Sequence, residues 1–263
     1  MSSRIKSAMG RSYRWAIAHS PVRPSVSRRI GPFGPFKIDA HFAFMHLERW
    51  GEGLNAAFVQ CIDECKGARC VFDVGAHVGF VSLPMSQAIG SRGRVIAFEP
   101  AEANLNLLRR HLHLNSIDNV EVVEALVGDT PGEHVAFFEL AEPSGMNSLV
   151  VKKGSLTYRQ SSRSAISIDG FCRDNGLAPD VMKIDVEGAE LKVLRGATET
   201  LARHRPRLFL SVHPPELSLL GESVKEVEDL LASLHYEFFT EDGAQTQHLS
   251  KGEFFVRPNQ MHQ

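Results

Sequence analysis

Alternating strand and helix patterns from Cys70 onward predict an α/β protein with a mostly parallel sheet, helices on both faces and an antiparallel hairpin at one edge. Three observations carry this. Short apolar runs recur between stretches whose apolar residues are spaced by three and four. The first run, residues 70–74, feeds an acid into a glycine-bearing turn. The last two, residues 236–240 and 253–256, are joined by about a dozen polar residues without helical periodicity, so they pair as a hairpin and not through a crossover.

Taken in order, residues 70–74 are a first strand, followed by a turn and a helix near 78–89. Residues 94–99 and 104–114 are the second strand and helix, and 120–127 the third strand. The rhythm then changes: 134–140, 148–151 and 164–168 read as short strands of an insertion. Residues 180–185 resume the alternation, followed by a helix from 187 to about 203, a strand at 207–213 and a helix at 223–234.

Upstream, Phe44, Leu47, Trp50, Leu54, Phe58 and Ile62 recur at helical spacing, which predicts a helical extension over 39–69. Residues 1–38 hold eight Lys or Arg, no acid, and Pro21, Pro24, Pro32 and Pro35; they read as a flexible basic segment. Residues 5–17 within it admit a short amphipathic helix lying on a membrane surface. The expected organisation is therefore 1–38, 39–69 and a main domain over 70–258.

The bulk numbers fit one sizeable domain: 263 residues, 43% hydrophobic and 23% charged. A net charge of −2 excludes a whole-protein attraction to nucleic acid. Beyond the basic segment, 21 basic and 31 acidic residues leave the body at −10. Cys61, Cys65, Cys70 and Cys172 form no Cys-x-x-Cys pair and read as free thiols of a reducing compartment. No apolar run approaches the roughly 20 residues that span a bilayer, and residues 15–18 are too short for a secretory signal. A cytoplasmic protein is expected, at most peripheral at the inner membrane face through its basic segment.

Three constellations carry chemistry. In Val71-Phe72-Asp73-Val74-Gly75-Ala76-His77-Val78-Gly79 a buried strand ends beside an acid, and the glycine lets backbone pass close to a ligand. A helix opening near Val78 offers free N–H groups to an anion. Glu99 lies 24 residues after Gly75 at the next strand's end, where an acid accepts hydrogen bonds from ribose hydroxyls. Together they predict an adenosine-containing ligand. The Gly-x-Gly-x-x-Gly of dinucleotide sites is absent, and Asp73 suits a cationic amino group better than a pyrophosphate; S-adenosylmethionine has that group. The third constellation, residues 181–190, delivers Asp185 to the sheet edge with Glu187 and Glu190 following. N-capping accounts for Glu190, but not for Lys183, Asp185 and Glu187 crowding one strand end.

Residues 71–79, 97–100, 168–169 and above all 180–196, with Met182-Lys183-Ile184-Asp185-Val186-Glu187-Gly188-Ala189-Glu190-Leu191 and the closing Leu194-Arg195-Gly196-Ala197, resemble the FkbM family of S-adenosylmethionine-dependent methyltransferases. The resemblance covers about residues 70–256. It implies the Rossmann-like class I methyltransferase fold with a seven-stranded sheet, and O-methylation of a hydroxyl on a sugar, glycolipid or polyketide-like natural product. It also implies that Asp73, Gly75, Ala76 and Gly79 hold the methionine part of the cofactor and Glu99 with Pro100 the ribose. Ala125 and Leu126 would flank the adenine, and Asn147 and Ser148 lie in a polar loop closing over cofactor or acceptor. Ser211-Val212-His213 departs from the family, which commonly places an acid ahead of that histidine.

Methyl transfer to an alcohol needs a group to take its proton, and Asp185, Glu187 and His213 are the candidates. The same oxygens could instead hold a divalent metal, although no diagnostic ligand spacing is present. His41, His46, His77, His111 and His113 read as surface or packing residues. Two other readings stand beside this one. An NAD-dependent sugar oxidoreductase would also use Glu99, but it lacks the glycine triplet and a Tyr-x-x-x-Lys pair. A non-catalytic nucleotide-binding module would leave the acids at the acceptor side unexplained. The acceptor is expected to be recognised by residues 142–164 and the helices before Cys70.

Overall fold

The computed structural model describes residues 23–52, 57–140, 142–151 and 157–259; the amphipathic stretch expected at 5–17 lies outside the described residues. The chain runs β1 (Ser25–Ile30), β2 (Phe33–Asp39), α1 (Ala57–Glu64), β3 (Cys70–Val74), α2 (Ser82–Ile89), β4 (Arg94–Phe98), α3 (Glu102–Leu114), β5 (Val120–Val123), β6 (Leu126–Val127), β7 (His134–Leu140) and β8 (Tyr158–Ile166). It continues with α4 (Ile168–Asn175), β9 (Val181–Ile184), α5 (Glu190–Arg195), α6 (Thr198–His204), β10 (Arg207–Val212), α7 (Pro214–Leu219), α8 (Val224–Ser233), β11 (Tyr236–Phe239), β12 (Gln245–Thr246) and β13 (Gly252–Pro258).

The main sheet has the order β12-β11-β13-β10-β9-β3-β4-β5. From β5 to β10 the neighbours are parallel, and β13 runs antiparallel between β10 and β11. This is the expected sheet with its edge hairpin, seven full strands and the two-residue β12 beyond them. Strand order changes direction between β3 and β9, which opens a crevice at their carboxyl ends. All five residues of β3 are buried. Val71 faces a core shared with α1, α2 and α3, whereas Phe72 and Val74 face one shared with α4, α5 and α8. Asp73 stands opposite Lys183 in the β3–β9 register, two charges set into strands otherwise apolar.

The N-terminal region differs from expectation. Residues 25–39 form a hairpin and not the tail of a flexible segment over 1–38. Ile30, Phe36 and Ile38 alternate into the core against α1 and α2, and the prolines and basic residues between them hide that period from the sequence. Over 39–69 regular α-helix is confined to α1, preceded by 3-10 turns at 40–42 and 47–49. Phe44 is 70% exposed, so the apolar spacing read there does not mark one buried face. The hairpin is pinned to the main domain by Arg110, whose Nε donates to Asp39 Oδ2 at 2.8 Å, and by His111. His111 Nδ1 donates to Val78 O at 2.7 Å and its Nε2 accepts from Asp39 N at 2.9 Å. Its ring stacks on Phe80.

The insertion is also rearranged. The strand expected over 120–127 divides: β5 stays in the main sheet, while β6 joins β8 and β7 in a three-stranded sheet. Residues 148–151 contribute one bridge, Ser148 to Phe138, and no strand. The helix expected from 187 to 203 is two helices broken at Gly196, where a Cβ would stand 2.1 Å from Gly128 O. The helices α4 and α7 were not anticipated. Cys61, Cys65, Cys70 and Cys172 are buried and unpaired. Among the described residues no helix is long and apolar enough to cross a membrane.

Candidate active site

The site is built where β3, β4 and β9 end together. Gly75 N and Ala76 N donate to Phe98 O at 3.0 and 2.9 Å, and Asp185 N donates to Val74 O at 3.0 Å. Gly75 adopts φ +85°, and a Cβ there would stand 2.0 Å from Asp185 O, so this bend demands glycine. These strand ends frame a cleft of about 130 Å³. Of the residues expected to hold a cofactor, Gly75, Glu99, Pro100, Ala125, Leu126 and Asn147 line it. Asp185 and Glu187 line its other end.

Glu99 is 4% exposed. Its Oε2 accepts from His77 N at 2.8 Å, and its Oε1 accepts from Ala101 N and Asn104 Nδ2, both at 3.0 Å. Burial pushes its carboxyl up to about 7 despite those three donors. A carboxylate offers about four acceptor positions, so Oε2 keeps the free capacity to meet a hydroxyl. Asn104 also exchanges two 3.0 Å hydrogen bonds with the backbone of Ser144, tying the insertion to the acid. Sequence reasoning missed Asn104; its signal was a polar residue set on the buried face of α3.

Four expected cofactor residues do not reach the cleft wall. Asp73 is fully buried beneath the bend, where its Oδ2 accepts from Ser82 Oγ at 2.6 Å and its Oδ1 stands 3.9 Å from Lys183 Nζ. The cleft's own carboxylate beside the glycine is therefore Asp185, not Asp73. Ala76 is buried, and Gly79 is required by its backbone, which takes φ +89°. Ser148 works from behind, donating from Oγ to Glu187 O at 2.7 Å. The helix expected to open at Val78 opens at Ser82, because the chain first completes a turn through Gly79.

The three candidate catalytic residues come together. His213, at the end of β10, places Nε2 3.8 Å from both Asp185 Oδ1 and Glu187 Oε1. Its Nδ1 lies 2.7 Å from Oε1 of Glu190, which is fully buried and also accepts from Gly188 N. Glu190 is thus more than the helix-capping acid read from the sequence: it orients the imidazole. Burial opposes a charge on His213, but the Glu190 hydrogen bond and the surrounding carboxylates raise its pKa. Burial likewise opposes a charge on Asp185, and Lys183 Nζ, 3.2 Å from Oδ2, outweighs it and lowers that pKa. Glu187 takes φ +51°, which turns its side chain back toward the histidine.

His77, read from the sequence as a packing residue, lines the cleft, and burial pushes its ring down to about 4. At neutral pH the charged groups in the described lining are therefore acids, without lysine or arginine. Asp185 and Lys183 also border a second cavity of about 100 Å³, lined by Trp50, Phe58 and Phe209 together with Ser211 and Glu253. Burial pushes the Glu253 carboxyl up to about 7. Ser144, Gly145 and Leu149, from the insertion expected to face an acceptor, line the first cleft together with Phe137.

Known proteins bear on this arrangement. Residues 73–238 match the profile of the methyltransferase FkbM domain. Methyltransferase sdnD of Sordaria araneosa is 29% identical over 157 residues, 49% of this chain and 60% of that protein, so the chain spans about three fifths of that relative's length. The structure of methyltransferase FkbM from Methylobacillus flagellatus superposes with a TM-score of 0.46 at 20% identity, over 73% of this chain and 44% of that one. An O-methyltransferase from Bacillus cereus in complex with SAH gives 0.44 at 12% identity, over 79% and 82%. With the domain profile matched across the bend after β3, Glu99, the Asp185–Glu190 segment and His213, the chain belongs to the FkbM methyltransferase family.

Proposed function

We propose that the protein transfers a methyl group from S-adenosylmethionine to a hydroxyl oxygen of a small molecule. The carrying observation is the makeup of the cleft: Asp185 and Glu187 at one end, Glu99 as a hydrogen-bond acceptor at the other, and no lysine or arginine among the described lining residues. Such a lining attracts a sulfonium and an ammonium and repels a pyrophosphate, which disfavours NAD. Glu99 accepts from the ribose, Ala125 and Leu126 flank the base, and the methionine end lies toward Gly75 and Asp185.

The acceptor enters the second cavity, whose shared wall at Asp185 brings it to the methyl group. Aromatic side chains over a polar floor suit the ring face of a sugar, a glycolipid head group or a polyketide-like alcohol. In-line displacement then requires oxygen and methyl carbon about 3 Å apart. The Asp185–Glu187–His213 cluster assists loss of the oxygen's proton, and the O–C bond forms as the S–C bond breaks. Calorimetric titration checks the cofactor half: the wild type binds S-adenosylmethionine and not NAD, and Glu99→Gln weakens binding at least about tenfold, the loss of one charge-assisted hydrogen bond. Unchanged affinity in Glu99→Gln, or binding of NAD in its place, would overturn the assignment.

A further inference from the structure

We propose that Asp185, Glu187 and His213 form the binding site of one divalent cation of the magnesium or manganese class. The inference deepens the proposed methyl transfer and rests on it only for the ion's use: the ion holds the acceptor's alcohol oxygen.

The geometry comes first. One donor atom from each of the three side chains lies within 4.8 Å of the others. His213 Nε2 stands 3.8 Å from each carboxylate, too long for a hydrogen bond. Ligands bound at about 2.1 Å around one ion lie roughly 3–4.2 Å apart, so small rotamer adjustments close the set. The donors are also pre-aimed. Glu190, itself fixed by Gly188 N, takes the Nδ1 proton of His213 and leaves the Nε2 lone pair facing the two carboxylates. This carboxylate–histidine pairing is the usual support of a metal-bound imidazole. Lys183 occupies Asp185 Oδ2, which leaves Oδ1 toward the histidine.

Charge supplies an independent argument. Asp73, Asp185, Glu187 and Glu190 converge here, against the single amine of Lys183. Glu190 is fully buried and its Oε2 has no hydrogen-bond partner; Asp73 Oδ1 is buried with only the Lys183 amine, 3.9 Å away, to answer its charge. Buried carboxylates short of partners are costly, and a dication answers the deficit. Two carboxylates with one imidazole, and no thiolate, select a hard cation. Asp185 borders both cavities, so the ion sits where acceptor meets cofactor. The alcohol replaces a water on the ion and its proton passes to solvent. The alkoxide lone pair then forms the O–CH3 bond as the S–CH3 bond breaks, the sulfur keeps its pair, and S-adenosylhomocysteine leaves.

The test titrates Mn2+ into the chelator-stripped full chain, following free Mn2+ by electron paramagnetic resonance. One Mn2+ per chain is expected, displaced by Mg2+, lost in Asp185→Asn and weakened at least about tenfold in His213→Gln. Glu190→Gln weakens it about 10–100-fold through ring orientation alone, and Glu99→Gln leaves it unchanged. Mn2+ also raises the thermal midpoint of the wild type but not of Asp185→Asn. Absence of binding at millimolar Mn2+, or equal affinity in wild type, Asp185→Asn and His213→Gln, overturns the site. S-adenosylmethionine titrated into the same stripped protein separates the two ideas: cofactor binding without Mn2+ binding removes the metal alone, and the converse removes the cofactor reading alone.

Discussion

His111 and His213 show how one residue type is put to two uses. Each ring nitrogen of His111 has a neutral backbone partner, Val78 O on one side and Asp39 N on the other. Burial lowers its pKa, and the neutral ring acts as a rivet between the hairpin, α3 and the bend. His213 instead meets carboxylates on both nitrogens, which raises its pKa. What separates a packing histidine from a reactive one here is the charge of its partners, since both are sheltered from solvent.

The contrast can be broken by substitution. His213→Gln keeps a donor for Glu190 and is expected to lower turnover about 10²–10⁴-fold, the usual worth of assistance to proton removal, while S-adenosylmethionine affinity holds. Single-turnover kinetics beside calorimetry check this; a parallel fall in both would make His213 a binding residue. His111→Ala should do the opposite. Loss of a buried ring and two hydrogen bonds costs about 3–5 kcal/mol in urea unfolding, with turnover per folded molecule little changed.

A smaller effect sharpens the comparison through pH, in chelator-treated protein. His111 titrates lower when folded, so the unfolded chain binds its proton first and stability falls as pH drops below about 6.5. His213 titrates higher when folded, so its contribution is full below about 6.5 and is lost as pH rises through the folded value. Each slope is at most about 1.4 kcal/mol per pH unit for one proton. Urea unfolding from pH 5 to 8 should lose the acid-side slope in His111→Gln and the alkaline-side slope in His213→Gln. Slopes of the same sign in both variants would erase the distinction.

Much of this arrangement was legible in the residues. The central parallel strands β3, β4, β9 and β10 are largely buried and read as mainly apolar runs, and Gly75 and Glu99 stand at strand ends where their chemistry is explicit. Asp185, Glu187 and His213 were legible for the same reason. The N-terminal hairpin was not, because its alternation is interleaved with prolines and arginines and only tertiary contact shows which residues point inward. Asp73 misled for a subtler cause: a strand's period of two sets the face of a side chain, and in β3 that face is the core, not the cleft. His77 and Asn104 gave no sequence signal strong enough to lift them from packing, since their roles depend on the bend and on the insertion folding over it.

The four sheltered thiols give the molecule an internal clock. Burial pushes the thiols of Cys65 and Cys70 up to about 12, so alkylating reagents near neutrality find almost no thiolate until a layer loosens. Cys61 lies on α1 and borders the aromatic cavity, with Cys65 just past the end of that helix in the same core, whereas Cys70 opens β3 and Cys172 sits in α4 in the core on the other face. The sequence in which they become labelled therefore records which side of the protein breathes first, and whether a bound ligand holds that side shut.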